Sequence, residues 1–302
     1  MENTKELKIS IIILSWNTKN VLKQCLESLG KDKNLEIIVI DNHSTDGSPE
    51  MVAKDFPQIK LIKNKQNLGF AKGNNQGIKV ANGDLVMLLN SDTIVEKKTI
   101  EKLVIFYQGQ KDKNLAFSPL LLSFDGVIQE QYYLKPPNLY QIFFYHNPFC
   151  RFWAMRTPIK RLMISDLSLV KEKKPFEVEQ LTGTALMAPK EVWQKVGLLD
   201  EDYYFLFEDV DWSYRARKVG VKLFVVPEAR IKHYGGASWQ KKGWQKRQSL
   251  ISFDFYRQHF ISFLLFVRKN YGKREERLFH WALLLNFFSR GKLKLFFYFL
   301  KK

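Results

Sequence analysis

The sequence predicts an α/β protein: a doubly wound, mostly parallel sheet with helices on both faces, followed by a helical C-terminal appendage rich in basic and aromatic residues. Three observations predict it. Short, continuously apolar, β-branched runs alternate with segments of helical spacing. Polar residues gather where those runs end, the place where such sheets bind ligands. Charge is also split along the chain. Residues 239–302 hold 15 basic and 3 acidic residues, a net of +12 out of +17 for the whole 302-residue chain. That leaves +5 for the first 238 residues, and the tail also holds 17 of the 43 aromatics. A nearly balanced body with a basic, aromatic tail implies that the tail alone meets an anionic surface.

Residues 9–14 (ISIIIL) read as a first buried parallel strand and lead into Ser15-Trp16-Asn17. Val21, Leu22, Cys25, Leu26 and Leu29 then repeat at helical spacing. Residues 36–40 (EIIVI) are a second strand, ending at Asp41. Ser48-Pro49-Glu50 reads as the N-cap, first turn and acidic start of a helix. A short strand at 59–63, a helix at 73–81 and a strand at 84–90 (DLVMLLN) follow, the last ending in Ser91-Asp92. Residues 99–107 read as a helix and 115–126 as strand and turn. Residues 134–163 contain four prolines among many aromatics, with Arg151, Arg156, Lys160 and Arg161 beside them. They predict a mobile or surface-seeking insertion. A strand toward Met187, a helix at 190–196, a helix from Glu208 to about Val219 and a strand at 222–226 complete the body, and His233-Tyr234-Gly235-Gly236 closes it. The tail reads as helices at 253–271, 274–288 and 292–302. The expected division is a domain at 1–238 and a tail at 239–302.

Apolar residues at 45% and charged residues at 26% predict a real core and exclude wholesale disorder. Two cysteines, Cys25 and Cys150, cannot make a disulfide framework or a four-cysteine metal site, which suits a reducing compartment. No run approaches the roughly 18 to 20 apolar residues that span a bilayer. The run at 9–14 is too short for a signal-peptide core. The expectation is a cytoplasmic protein.

Four stretches carry candidate chemistry. Asp41, at a strand tip, can accept the imide N–H of a pyrimidine ring or organise a turn; Asp46 reads as a turn organiser. The run from Asn67 through Gly69 and Lys72 to Asn75 and Gly77 is either a phosphate-facing helix start or a plain turn. Asn90-Ser91-Asp92 can hold Mg²⁺ or Mn²⁺ against a diphosphate, or cap the helix that begins at Thr99. Glu208, Asp209 and Asp211 crowd three carboxylates into four positions. Repulsion and partial burial would raise at least one pKa, as a general base needs, although acids also favour helix starts. His233 becomes a metal-ligand candidate if the fold brings it near Asp92.

These pieces, in this order, resemble the inverting glycosyltransferases of family 2, and within them the bacterial rhamnosyltransferase-type enzymes of polysaccharide and O-antigen assembly. The resemblance covers residues 9–238: ISIIILSWN, IVIDNHSTDGS, NLGFAKGNNQG, LLNSDT, TGTALM, the stretch ending in FLFEDVDWSYRARKVG, and HYGGAS. It implies a GT-A fold and transfer of rhamnose or another hexose from a dTDP- or UDP-linked donor to a lipid-linked glycan. Ser15, Trp16 and Asn17 would border the nucleotide, Asp41 would bind the pyrimidine, and Asn67, Gly69, Lys72 and Asn75 would line the diphosphate region. Asn90, Ser91 and Asp92 would form the metal element, with Asp92 and His233 as ligands of Mg²⁺ or Mn²⁺. Asp209 would be the catalytic base, and Glu208, Asp211 and Trp212 would shape the acceptor site. Asn90 stands where many relatives have aspartate, and Ala188-Pro189 replaces residues that are often basic.

The tail's mixture of cations and rings suits helices lying in a lipid interface, on the inner face of the cell membrane. The alternative is packing on the body or on another subunit as a homo-oligomer. A non-catalytic nucleic-acid binder would need basic residues throughout the body, which the charge split opposes. A sugar-phosphate nucleotidyltransferase would want a glycine-rich phosphate loop after the first strand, where Ser15-Trp16-Asn17 stands instead.

Overall fold

The structure, a computed structural model, describes residues 6–30, 32–145, 148–235 and 253–301. The expected boundary at 238/239, the end of the HYGGAS motif and the tail's first cations lie outside the described residues. The chain opens with β1 (Ile9–Ser15), α1 (Lys19–Leu29), β2 (Leu35–Asp41), α2 (Ser48–Asp55), β3 (Lys60–Lys63), α3 (Phe70–Val80) and β4 (Leu85–Asn90). The four strands pair in parallel in the order β3-β2-β1-β4. Apolar side chains fill both faces of β1 and β4, because helices cover a doubly wound sheet on each side. Registry matters more for function. Ser15 pairs with Asp41, and Leu14 with Asn90, so the polar strand tips finish at one edge of the sheet.

Two local expectations change here. The N-cap of α2 is Gly47, at φ 81°, and Ser48 is already helical; Asp46 accepts hydrogen bonds from the Ser48 amide and from the Lys19 amide, a turn-organising role. α3 starts three residues earlier than its periodicity suggests, because Gly69 at φ +83° ends the preceding loop. A Cβ on Gly73 or Gly77 would come within 2.4 Å of Leu14 or Ile12. Those two glycines therefore set how closely α3 lies on β1.

Beyond β4 the sheet is mixed, where a mostly parallel one was expected. β5 (Thr93–Val95), α4 (Thr99–Gly109) and β6 (Leu115–Leu122) follow, then α5 (Pro148–Ala154) and α6 (Lys160–Met163). Next come β7 (Phe176–Glu177), β8 (Ala185–Pro189), α7 (Lys190–Val196), α8 (Glu208–Lys218) and β9 (Lys222–His233). β8 runs antiparallel between β4 and β6, and β9 lies parallel to β6 and antiparallel to β5 and β7. Because β5 follows Ser91-Asp92 directly, this tripeptide is not the cap of α4. β9 is longer than the expected 222–226: a register shift between Pro119 and Leu120 of β6 accommodates Pro227, and the strand resumes to His233.

The chain ends in α9 (Phe253–Asn270), α10 (Lys273–Ser289) and α11 (Leu293–Leu300). They enclose a second hydrophobic core around Phe260, Phe263, Phe266, Leu283 and Phe287. Ile142 of the 134–163 segment and Tyr203 are buried in the same core, and Phe207 and Val210 pack against it. The insertion is thus partly internal, joined to the tail by its apolar side chains.

Candidate active site

Strand pairing assembles the first half of the site. Thr93 pairs with His233, which sets Asp92, just before β5, beside the end of β9. Both side chains are buried, and His233 Nε2 lies 3.2 Å from Asp92 Oδ1. Gln129 fixes the ring. Its Nε2 donates to the His233 carbonyl (2.9 Å), which turns its Oε1 toward His233 Nδ1 at 3.1 Å. In the neutral ring the hydrogen therefore sits on Nδ1, and the Nε2 lone pair faces a carboxylate oxygen. A proton on Nε2 or a metal ion between the two satisfies both groups. The donor set of one carboxylate and one imidazole fits a divalent ion such as Mn²⁺ or Mg²⁺. Among the described residues no third His, Cys, Asp or Glu joins the pair. A hard cation would complete its shell with phosphate oxygens and water.

Asp41 is also buried. Its Oδ2 accepts the Ser44 amide at 3.0 Å, while Oδ1 accepts no hydrogen bond among the described residues. A buried carboxylate oxygen without a donor is costly unless a ligand supplies one. From the neighbouring strand tip a hydroxyl chain runs Ser15–Thr18–Ser91, with links of 2.9 and 3.0 Å. It ties the Asp41 side of the sheet edge to the Asp92 side. Trp16, 37% exposed, overhangs this edge.

The remaining predicted nucleotide residues divide. Asn17, at φ 53°, donates its amide to Ser44 Oγ and accepts the Thr45 amide, so it staples two strand-end loops together. Asn67 accepts from Asn42 and from the Gly69 amide, holding the loop before α3. Gly69 is required by contact as well as by its φ: a Cβ there would meet the Tyr204 carbonyl at 2.9 Å. Lys72 is exposed on the first turn of α3. Asn90 donates its amide to the Thr184 carbonyl. Asn75 departs from expectation. Its amide group bonds Leu199 and Glu201, so it anchors the 199–201 loop and does not face the diphosphate region.

The second half of the site is the start of α8. Asp209 is held by two backbone amides, Gly183 to Oδ2 and Val210 to Oδ1, both at 2.8 Å. A Cβ on Gly183 would press on the Phe70 ring at 3.0 Å, so the ring would have to give by a few tenths of an ångström. Burial raises the Asp209 pKa, and these hydrogen bonds only partly offset it. Burial, and then the Asp209 charge, hold Glu208 well above the ordinary carboxylate range, and its Oε2 has no partner among the described residues. The 182–184 loop links the two halves, because Gly183 donates to Asp209 while Thr184 accepts from Asn90. So does Tyr132. After burial, the charges of Asp92 and Asp209 both raise its hydroxyl pKa, and its ring lies 5.4 Å edge-on from His233. Gln129 and Tyr132 escaped the sequence reading because they sit at the start of and within a short 3₁₀ stretch outside every motif.

Two acceptor-site expectations are corrected. Trp212 is fully buried, donates to the Gly197 carbonyl and packs against Trp193 with centroids 4.5 Å apart. Asp211 is committed to Arg215 (2.7 Å) and to Asn270 (2.9 Å). Both face the interior because they lie on the inner side of α8; Glu208 and Asp209 are left at its tip.

That tip is strained and externally braced. Leu206 and Phe207 both adopt positive φ, 66° and 74°, which costs on the order of 1–3 kcal/mol each. α9 holds them there. Ser262 Oγ donates to the Phe205 carbonyl, the Phe207 ring packs edge-on against Phe263, and Lys269 bridges Asp200 and Asp202 at 2.6 and 2.5 Å.

Residues 10–151 match the glycosyl transferase family 2 model. An uncharacterized glycosyltransferase of Haemophilus influenzae is 29% identical over 175 residues, covering 55% of this chain and 54% of that protein. The chain thus matches about half the length of this curated relative. An N-acetylglucosaminyl-diphospho-decaprenol L-rhamnosyltransferase of Mycobacterium tuberculosis is 25% identical, covering 68% of this chain and 69% of the relative. A mannosyltransferase from Pyrobaculum calidifontis, solved with GDP-Man and Mn²⁺, superposes with a TM-score of 0.57 at 17% identity, over 94% of this chain and 74% of that one. Residues 10–151 are thus similar to the glycosyl transferase family 2 domain, and the chain takes the GT-A fold of its solved neighbour.

Proposed function

We propose that the protein is an inverting glycosyltransferase that moves a sugar from a pyrimidine nucleoside-diphosphate donor to a hydroxyl of a glycan acceptor. One observation carries the proposal: the buried Asp92 carboxylate faces the lone-pair side of His233 at 3.2 Å, at the same sheet edge as the free oxygen of Asp41. A diphosphate donor with its cation satisfies both. Asp41 Oδ1 accepts the imide N–H of the base, and Ser15 and Trp16 border the nucleoside. Asp92 and His233 would hold the divalent ion, which when bound supplies positive charge to the departing diphosphate. Lys72 adds charge on the solvent side.

A sugar hydroxyl is a poor nucleophile, so Asp209 takes its proton as its oxygen bonds to the anomeric carbon. The bond to the diphosphate breaks on the opposite face, and one displacement inverts the configuration. Burial raises the pKa of Asp209, which suits it to this work, and Glu208, raised by burial and by the Asp209 charge, lies beside it on the acceptor side.

Rhamnose is the leading donor sugar and a lipid-linked glycan the leading acceptor, supported by the mycobacterial relative's name. The tail's net positive charge supports an anionic membrane surface as partner. No helix among the described residues is long and apolar enough to cross a membrane. The test is hydrolysis of a panel of dTDP-, UDP- and GDP-sugars with Mg²⁺ or Mn²⁺. One pyrimidine donor should be consumed and a chelator should stop it; a panel left intact, or turnover indifferent to chelator, would overturn the proposal.

A further inference from the structure

The second core has an outer side. From Leu278 to Phe288, α10 is apolar nearly all round. Phe279, Leu283 and Phe287 face inward, while Leu278, Trp281, Leu285 and Phe288 are each more than half exposed. The exposed four recur at i, i+3, i+7 and i+10, which makes one stripe along the helix. Arg274 and Arg277 are also exposed and continue that stripe toward the start of the helix. A helix packed on a soluble core ordinarily turns polar groups outward, so among the described residues this stripe lacks its partner.

The 134–163 segment repeats the pattern. α5 exposes Phe152 and Trp153, and the Arg156 guanidinium lies 3.7 Å from the Phe152 ring centroid. The segment has five basic residues and no acidic one, and residues 273–301 have seven basic and two acidic. The two surfaces are physically joined. Ile142 is buried in the tail's core, and Asn286 of α10 donates to the Ile142 carbonyl at 2.8 Å.

We propose that the insertion and α10 together form one docking surface for an anionic lipid bilayer. The inference deepens the membrane-partner reading above and rests on it for the class of partner. A partner for these groups must be apolar and anionic at once. A bilayer surface takes Leu, Phe and Trp into the boundary between headgroups and acyl chains, while Arg and Lys meet phosphate. A nucleic acid would use the cations but leave Leu285 and Phe288 in water. The helices lie on the surface, since none described can span it.

The test is co-sedimentation of the full chain with vesicles of phosphatidylglycerol and phosphatidylcholine, against phosphatidylcholine alone. The chain should partition onto the anionic vesicles and be released by salt. Trp281→Ser with Leu285→Ser, and separately Phe152→Ser with Trp153→Ser, should each lower partition about tenfold or more, as loss of two inserted side chains implies. Donor hydrolysis in solution should be unchanged in both variants, which shows that they fold. Wild-type partition by the insertion variant overturns the two-part surface. Light scattering that shows a dimer dissociated by the α10 variant, with no vesicle binding, overturns the bilayer in favour of a second copy. Vesicle binding by a chain that hydrolyses no donor leaves the docking surface standing and removes the transferase proposal alone.

Discussion

The two halves of the candidate site are held by different means. Asp41, Asp92 and His233 stand on strand ends, and backbone pairing with β1, β2 and β9 fixes them. Asp209 stands at the tip of α8, behind two strained residues, and the side chains of α9 brace that tip. The donor half is therefore built by the sheet, and the base half by the sheet together with the tail. Within the tail, α9 braces the tip of α8, while α10 presents its exposed stripe away from it.

The largest expected effect isolates the base half. Asp209→Asn should keep donor binding while turnover falls by roughly 10² to 10⁴, the usual worth of a general base. In the wild type, activity should rise with pH as Asp209 loses its proton, with the midpoint above the ordinary aspartate value of 3.8, because burial raises this pKa. Near-normal turnover in the variant, or an acid limb at the ordinary value, would remove Asp209 as base.

A smaller effect tests the brace. Asn270 links α9 to Asp211, two residues from Asp209. Asn270→Ala should lower kcat about tenfold or more, on the scale of the roughly 1.5–3 kcal/mol that a hydrogen bond to a charged group contributes. The KM for donor should hold, because the donor half does not depend on the tail. Asn270→Gln should not restore the lost rate if the geometry is specific. Parallel losses in kcat and donor affinity would erase the contrast between the halves.

Legibility in the sequence follows the same line. The strands β1, β2 and β4 and their polar tips were visible because each is a local run with a local break, and the helix boundaries of the tail fell close for the same reason. The Asp211–Arg215 pair was visible in principle, as an acid four residues before an arginine on one helix. Long-range side-chain pairs left no such trace. Gln129 with His233, Asn75 with Leu199, Asn270 with Asp211 and Asn286 with Ile142 join positions 59 to 144 residues apart. No period or spacing encodes them. The resemblance implies an acceptor-site role for Trp212, whereas packing puts the ring on the inner side of α8.

The central claim is that Asp92 and His233 share a divalent cation with the diphosphate of a donor held at Asp41. Calorimetric titration of a pyrimidine nucleoside diphosphate, with and without Mn²⁺, tests it most directly in the wild type and His233→Ala. Mn²⁺ should tighten binding to the wild type and lose most of that enhancement in the variant. Equal enhancement in both proteins would contradict the claim.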